Sequence, residues 1–317
     1  MADWGVRMKE NVVLFGKSKS QVGIVTDPDD GQEVRQRPAV ILLNAGLIHR
    51  VGPNRIYVKL ARRLAAMGFV VLRIDYSGVG DSKAREDHLP FEKSAILETQ
   101  EAMNYLSETR GARQFFLMGH CAGAVNSFRT AGQDTRVAGA VLINPEGGDQ
   151  DWSTYDHRRK VARYYQSYYG RGALLSANRW RRFFSGQASY RSIAKNVFKG
   201  ILWNTVSTQF FRLRNKLRRG PASPETSAVA EQTVAGMRLI AGRGVRLLMV
   251  YSEGSTGLEH MRAMLGSTFD ELQASGSLRL EIVPRSDHVF TLLRSQEELF
   301  AIIQSWAAEI TRAAAIT

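Results

Sequence analysis

Gly119-His120-Cys121-Ala122-Gly123 sets the only cysteine of the chain between two glycines. An apolar run, Gln114-Phe-Phe-Leu-Met, leads into it, and a helix-like stretch follows. A strand, a tight turn flanked by small residues and then a helix is the setting in which a nucleophilic side chain is lifted clear of its backbone. The helix N-terminus that follows lowers a thiol's pKa, and the thiolate is the reactive form. A lone cysteine is otherwise a small buried hydrophobe; here the paired glycines favour the nucleophile.

A thiol nucleophile needs a base, and six histidines are available. Ser286-Asp-His-Val-Phe290 follows the last strand-like run, Leu278 to Val283, and puts His288 in the loop after it. His288 is therefore the expected proton acceptor. His88, His157 and His260 fall on expected loops or helices and read as solvated. A carboxylate that orients the base belongs in the loop after Tyr251. There Ser252 to Glu259 offers Glu253 as the third member and Glu259 as its alternative. A thiol can manage with a weaker third partner, because its ordinary pKa of about 8.5 lies close to that of histidine. An oxyanion hole requires two converging backbone N–H groups. Ala122 supplies one and Leu47 the other, with Gly46 allowing close approach and His49 near the mouth of the pocket. Gly46, His49 and His120 are the expected substrate-binding residues.

Several elements must hold these groups in place. Pro38 to Asn44, Phe69 to Asp75, Gln114 to Gly119 and Val137 to Asn144 read as buried strands, being short, apolar and rich in β-branched residues. Arg55 to Gly68 and Ser94 to Arg110 read as helices between them. The rhythm returns with the strand Val245 to Tyr251, a helix from about Glu259, the strand Leu278 to Val283 and a final helix from Gln296. Alternating strands and helices predict a doubly wound, mostly parallel sheet covered on both faces.

Between these halves the composition changes. Residues 151–235 hold 16 Lys and Arg against four acids, a balance of +12 out of the chain's +13. Tyr164-Tyr165, Tyr168-Tyr169 and Phe183-Phe184 interleave with the arginines. The expected organisation is thus a core over 1–150 and 236–317, interrupted by a basic, aromatic-rich helical cap over 151–235. The cap's charge favours an anionic partner: CoA, an acidic acyl carrier protein or a phospholipid surface. Val197 to Phe211 with the basic run to Arg219 has the make-up of an interfacial helix, so peripheral membrane contact is one expectation for the cap. No nucleic-acid motif accompanies the charge, and nucleic acid is not an expected partner. The N-terminal residues lack the pattern of a signal peptide. With one cysteine there is no internal disulfide or cysteine-only metal cluster to expect, and a free thiol suits a reducing cytoplasm.

At these residues the chain resembles the α/β-hydrolase superfamily. Asp75-Tyr-Ser-Gly-Val-Gly-Asp-Ser82 is similar to the D-x-x-G-x-G-x-S turn of its serine-aminopeptidase-like branch. Asn44-Ala-Gly-Leu-Ile-His-Arg-Val-Gly-Pro-Asn54 resembles hydrolases associated with bacterial exosortase systems. The cysteine elbow looks like those of polyhydroxyalkanoate synthases and dienelactone hydrolases; the synthases also pair that cysteine with histidine and transfer acyl groups from CoA thioesters. Ser255, where these relatives carry aspartate, is the departure. The resemblance implies an acyl-transfer enzyme that loads Cys121 from a CoA- or carrier-protein-bound donor and passes the group to a nucleophilic acceptor. No bound cofactor is expected, CoA or phosphopantetheine entering only as part of the substrate. Hydrolysis of the same thioester intermediate by an esterase or thioesterase is the alternative, and a non-catalytic binding protein the other. The acyl group, the acceptor and the oligomeric state are not encoded legibly.

Overall fold

The computed structural model describes residues 8–28, 37–145, 224–253 and 255–314. The chain divides into two units, Met1–Gly147 with Ala230–Thr317, and Gly148–Val229. The first unit contains the sheet. The aromatic pairs, the interfacial stretch 197–219 and nearly all of the +12 segment lie outside the described residues.

Eight strands form one sheet. They are β1 (Lys9–Phe15), β2 (Gln21–Asp27), β3 (Ala39–Leu43), β4 (Val71–Ile74), β5 (Phe115–His120), β6 (Val137–Ile143), β7 (Arg246–Ser252) and β8 (Leu278–Val283). Their order is β1-β2-β4-β3-β5-β6-β7-β8. β1 and β2 pair antiparallel, as do β2 and β4, and every other neighbour is parallel. The helices are α1 (Ile56–Ala66), α2 (Phe91–Arg110), α3 (Ala122–Gln133), α4 (Pro224–Gly242), α5 (Thr256–Leu265), α6 (Ser267–Ala274) and α7 (Leu293–Ala314). The doubly wound, mostly parallel sheet expected from the sequence is therefore present. The expected end of the cap, residue 235, falls inside α4, whose Met237 and Ile240 are buried in the core.

The central strands are apolar throughout because both faces of the sheet are covered. Alternate side chains feed opposite layers. Ile41 and Leu43 of β3 join Leu72, Leu117 and Met249 in one core, under α2, α3, α4, α5 and α6. Val40 and Leu42 join Val71, Phe116, Met118 and Val250 in the other, under α1 and α7. Trp306 of α7 lies over β6 at Gly139, where a Cβ would come within 2.8 Å of the indole. A glycine there leaves room for the largest side chain of the helix.

The β1–β2 hairpin extends the sheet beyond the strands expected from the sequence. It brings a charge into the interior: Arg73 of β4 is 5% exposed, and Glu10 of β1 meets it at 3.0 Å. Burial lowers the guanidinium pKa, and the Glu10 carboxylate opposes that loss. Among the described residues no helix is long and apolar enough to cross a membrane.

Candidate active site

Cys121 stands at the turn between β5 and α3 with φ 55° and ψ −114°. A side chain rarely adopts this backbone, and such strain persists where the surroundings impose it. Here the glycines on either side make the turn sterically feasible. A Cβ on Gly119 would lie 2.1 Å from the Gly123 carbonyl carbon, and one on Gly123 would lie 2.6 Å from the Leu43 oxygen. The G-x-C-x-G spacing is thus a packing requirement, two glycines meeting face to face and against the end of β3. The Cys121 N–H donates to the Ile143 carbonyl at 2.8 Å, and the Cys121 carbonyl opens α3 by accepting from the Ala124 N–H at 3.1 Å. Its side chain remains partly exposed. The first N–H groups of a helix have no acceptor within it, and their dipole favours negative charge beside them. Ala122 sits at that first position.

Tyr57 of α1 braces the turn from beneath. Its hydroxyl accepts from the His120 N–H at 2.8 Å and donates to the Leu43 carbonyl at 2.8 Å. The β3–β5 ladder ends at Leu43 and Gly119, so the phenol occupies the place of the next rung. Burial pushes its pKa up, which keeps the bridging proton in place.

His288 follows β8 in a loop held by its own side chains. The Ser286 hydroxyl donates to the Val283 carbonyl, and the Asp287 carboxylate accepts from Thr291 N–H and hydroxyl. The His288 carbonyl accepts from two donors, His120 Nε2 at 2.6 Å and Asn144 Nδ2 at 2.8 Å. The rings of His120 and His288 lie 4.6 Å apart. The loop is therefore fastened to the residue next to Cys121, and the two sequence-predicted groups belong to one locality. His120, expected among the substrate-binding residues, is 3% exposed and directs Nε2 at this carbonyl. Only the Nε2–H tautomer can make that bond, a carbonyl being an acceptor. Burial, with the nearby His288, holds the His120 pKa down to about 3, so the ring stays neutral.

Asn144 carried no role in the sequence reading. It ends β6 at φ 44° and is fully buried. Its amide reaches the His288 carbonyl, and its oxygen accepts from the Ser252 N–H at 2.8 Å, so one side chain ties β6 to β7 and to the loop that carries His288. Cys121, Asn144, Arg285 and Phe290 make up half of the eight non-glycine residues with positive φ among the described residues. Backbone strain is concentrated around this site.

The expected third members sit after β7. Glu253 is exposed, and its carboxylate accepts from the Arg285 N–H, three residues before His288. Ser255 caps α5, its hydroxyl accepting from the Gly257 N–H. Glu259 is exposed in the first turn of that helix.

On the other side of the elbow, residues 44–50 make a tight loop after β3. Ala45 and Ile48 bridge across it, Gly46 takes φ 61°, and Leu47 is 65% exposed. Asn44 closes the entry: its Nδ2 donates to the Ile48 carbonyl and to Asp75 Oδ1, and its Oδ1 accepts from the Tyr76 N–H. His49 is exposed.

A protein-family profile described as "Serine aminopeptidase, S33" matches residues 36–195, half of the chain. The chain belongs to this family. Its fold agrees with that membership: proline iminopeptidase of Mycobacterium smegmatis superposes with a TM-score of 0.54 at 15% identity, covering 96% of this chain and 100% of that one. A carboxylesterase structure from Nitrososphaera gargenis gives 0.54 at 15% identity over 94% and 99% of the two chains. A Pyrococcus furiosus esterase gives 0.52 at 13% over 97% and 92%. At these identities the likeness is one of fold. By sequence, the esterase EstD of Thermotoga maritima is 29% identical over 112 residues, 34% of this chain. That match spans only 27% of EstD.

Proposed function

We infer that this chain cleaves an acyl ester or thioester by way of an acyl thioester on Cys121. The observation that carries this reading is the backbone of Cys121, held at positive φ in a turn whose packing requires glycine two residues before it, at Gly119, and two residues after it, at Gly123. A fold keeps such strain at a position where a side chain has to be presented. In the proposed reaction the Cys121 thiolate attacks the acyl carbonyl, and the carbonyl's π pair moves onto oxygen. The Leu47 and Ala122 N–H groups stabilise that oxyanion. Collapse breaks the bond to the leaving alkoxide or thiolate, which takes its proton from His288. That proton is the one His288 took from the Cys121 thiol. His288 then deprotonates the incoming nucleophile, which attacks the thioester carbonyl, and the C–S bond breaks to return the Cys121 thiolate beside protonated His288. Glu253 is the proposed third member, acting on the base's loop from the end of β7, with Gly46 and His49 at the substrate mouth.

Hydrolysis is the reading supported by family membership and by the partial match to an esterase. Transfer to an amine or alcohol is a second reading, favoured by two features of the sequence. Exchange between thioesters is nearly balanced in energy, which suits a cysteine, and the +12 of residues 151–235 suits an anionic CoA or carrier-protein donor in the cytoplasm. The likeness of the cysteine elbow to that of polyhydroxyalkanoate synthases bears on this second reading alone.

The two fates separate in one experiment. Acyl-CoA thioesters and p-nitrophenyl esters of graded length are presented to the protein, and the acyl-enzyme is followed by intact mass with and without added amine or alcohol. Discharge at the same rate without acceptor establishes the hydrolase; discharge only with acceptor establishes the transferase. Unchanged mass together with no release of CoA thiol or p-nitrophenolate from any donor would overturn both.

A further inference from the structure

In the proposed reaction the Leu47 amide points at the oxyanion, from a turn closed across its base by the Ile48 N–H donating to the Ala45 carbonyl at 3.2 Å. Leu47 is 65% exposed, and nothing lies within 4 Å of where a Gly46 side chain would begin. The turn is fixed against the sheet at its two ends, and both ends converge on one buried carboxylate. Asp75, at the end of β4, is fully buried. Its Oδ1 accepts from Asn44 Nδ2 at 3.1 Å, before the turn, and from the Arg50 N–H at 2.6 Å, after it. Its Oδ2 takes the Arg50 guanidinium, whose other arm reaches Asp81 at 2.6 Å. The glycine-rich turn closes over this carboxylate: a Cβ on Gly80 would lie 2.2 Å from Oδ2. Ser82 completes the wrapping, donating to the Asp75 carbonyl and accepting from the Val22 N–H.

We propose that Asp75 staples the oxyanion loop at both ends, and that Arg50 is a positioning residue for acyl-enzyme formation at Cys121. The proposal rests on the acyl-enzyme reading given above. Charge-assisted, forked contacts of this kind fix geometry as well as contributing energy. A loop that slackens displaces the Leu47 amide without disturbing the Cys121–His288 pair. Acylation therefore suffers, whereas a reaction of the thiolate that develops no oxyanion does not.

The test compares two reactions of the same thiol. p-Nitrophenyl butyrate acylates it through a tetrahedral oxyanion and releases p-nitrophenolate. Iodoacetamide alkylates it by displacement, with the C–S bond forming as iodide leaves. In Arg50→Gln, single-turnover acylation falls by at least about tenfold, a fraction of the roughly 10²–10³ lost with a whole oxyanion donor. Alkylation stays within about twofold of the parent. Arg50→Lys keeps the charge beside Asp75, so it decides the matter if the glutamine variant does not fold; there acylation falls by less, with alkylation again unchanged. Equal loss in both reactions, or loss in neither, overturns the proposal. A parent protein that is alkylated but never acylated overturns the acyl-enzyme reading itself, and the proposal with it.

Discussion

Replacing Cys121 by glycine and by alanine separates backbone strain from chemistry. Both variants lose the thiol and are expected to be inactive. They differ in what they do to a residue held at φ 55° and ψ −114°. Alanine keeps a Cβ and so keeps the strain, of order 1–3 kcal/mol for a non-glycine residue in such a region. Glycine releases the strain but loosens the unfolded chain by about 0.4–1 kcal/mol. The difference leaves Cys121→Gly more stable than Cys121→Ala by about 1 kcal/mol. This reverses the usual order, in which glycine inside regular structure costs roughly 0.5–1 kcal/mol relative to alanine. Urea unfolding followed by circular dichroism measures it, since the two proteins expose the same surface and a stability change appears as a shift in midpoint. A midpoint for the glycine variant at or below that of the alanine variant would refute the claim that this turn stores strain.

Three further outcomes follow from the same geometry. Gly123→Ala sets a methyl 2.6 Å from the Leu43 carbonyl oxygen, and it should destabilise by about 3 kcal/mol or fail to accumulate as folded protein, as urea unfolding or soluble yield would report. Asn144→Ala removes the amide between the Ser252 N–H and the His288 carbonyl; a loss of about 1–3 kcal/mol is expected, together with slower esterase turnover from a loosened base. His120 is neutral in the fold, its pKa lowered to about 3 from an ordinary 6.5, so its contribution is complete above pH 6.5 and is lost as pH falls towards 3. His120→Gln retains an N–H for the His288 carbonyl without titrating. Between pH 6 and 4 the parent should therefore lose about 1.4 kcal/mol per pH unit more than this variant, and equal pH dependence would contradict the assignment.

Much of the core was legible because buried parallel strands are continuous apolar runs. The strand read over Leu278 to Val283 is found with those bounds, and Gln114 to Gly119 is displaced by one residue. The elbow was legible because its two glycines are demanded by contacts within a few residues and at the end of the neighbouring strand. The N-terminal hairpin was not. In Val12-Val13-Leu14-Phe15 the apolar residues are contiguous, yet Val12 and Leu14 face outward on the sheet edge, so periodicity gives no clear signal. α6, only eight residues long, likewise gives too short a periodic pattern to read. Asn144 escaped because its partners, Ser252 and His288, are 108 and 144 residues away and nothing local marks the meeting. A polar residue closing a buried strand just before Pro145, on the edge that carries the elbow, was the available signal. Asp75 reads in the sequence as part of a turn, whereas in the fold it gathers both ends of the 44–50 loop. The two buried polar groups that organise the site, Asn144 and Asp75, are those whose work is done between elements.

The central claim is that Cys121 carries the acyl group. It is tested most directly by brief incubation with p-nitrophenyl butyrate, acid quench, and mass analysis of the intact protein and its peptides. The account predicts one added butyryl group, mapped to the peptide containing Cys121, released by hydroxylamine and missing from Cys121→Ala. An adduct on another residue, or p-nitrophenolate release that continues undiminished in Cys121→Ala, would contradict it.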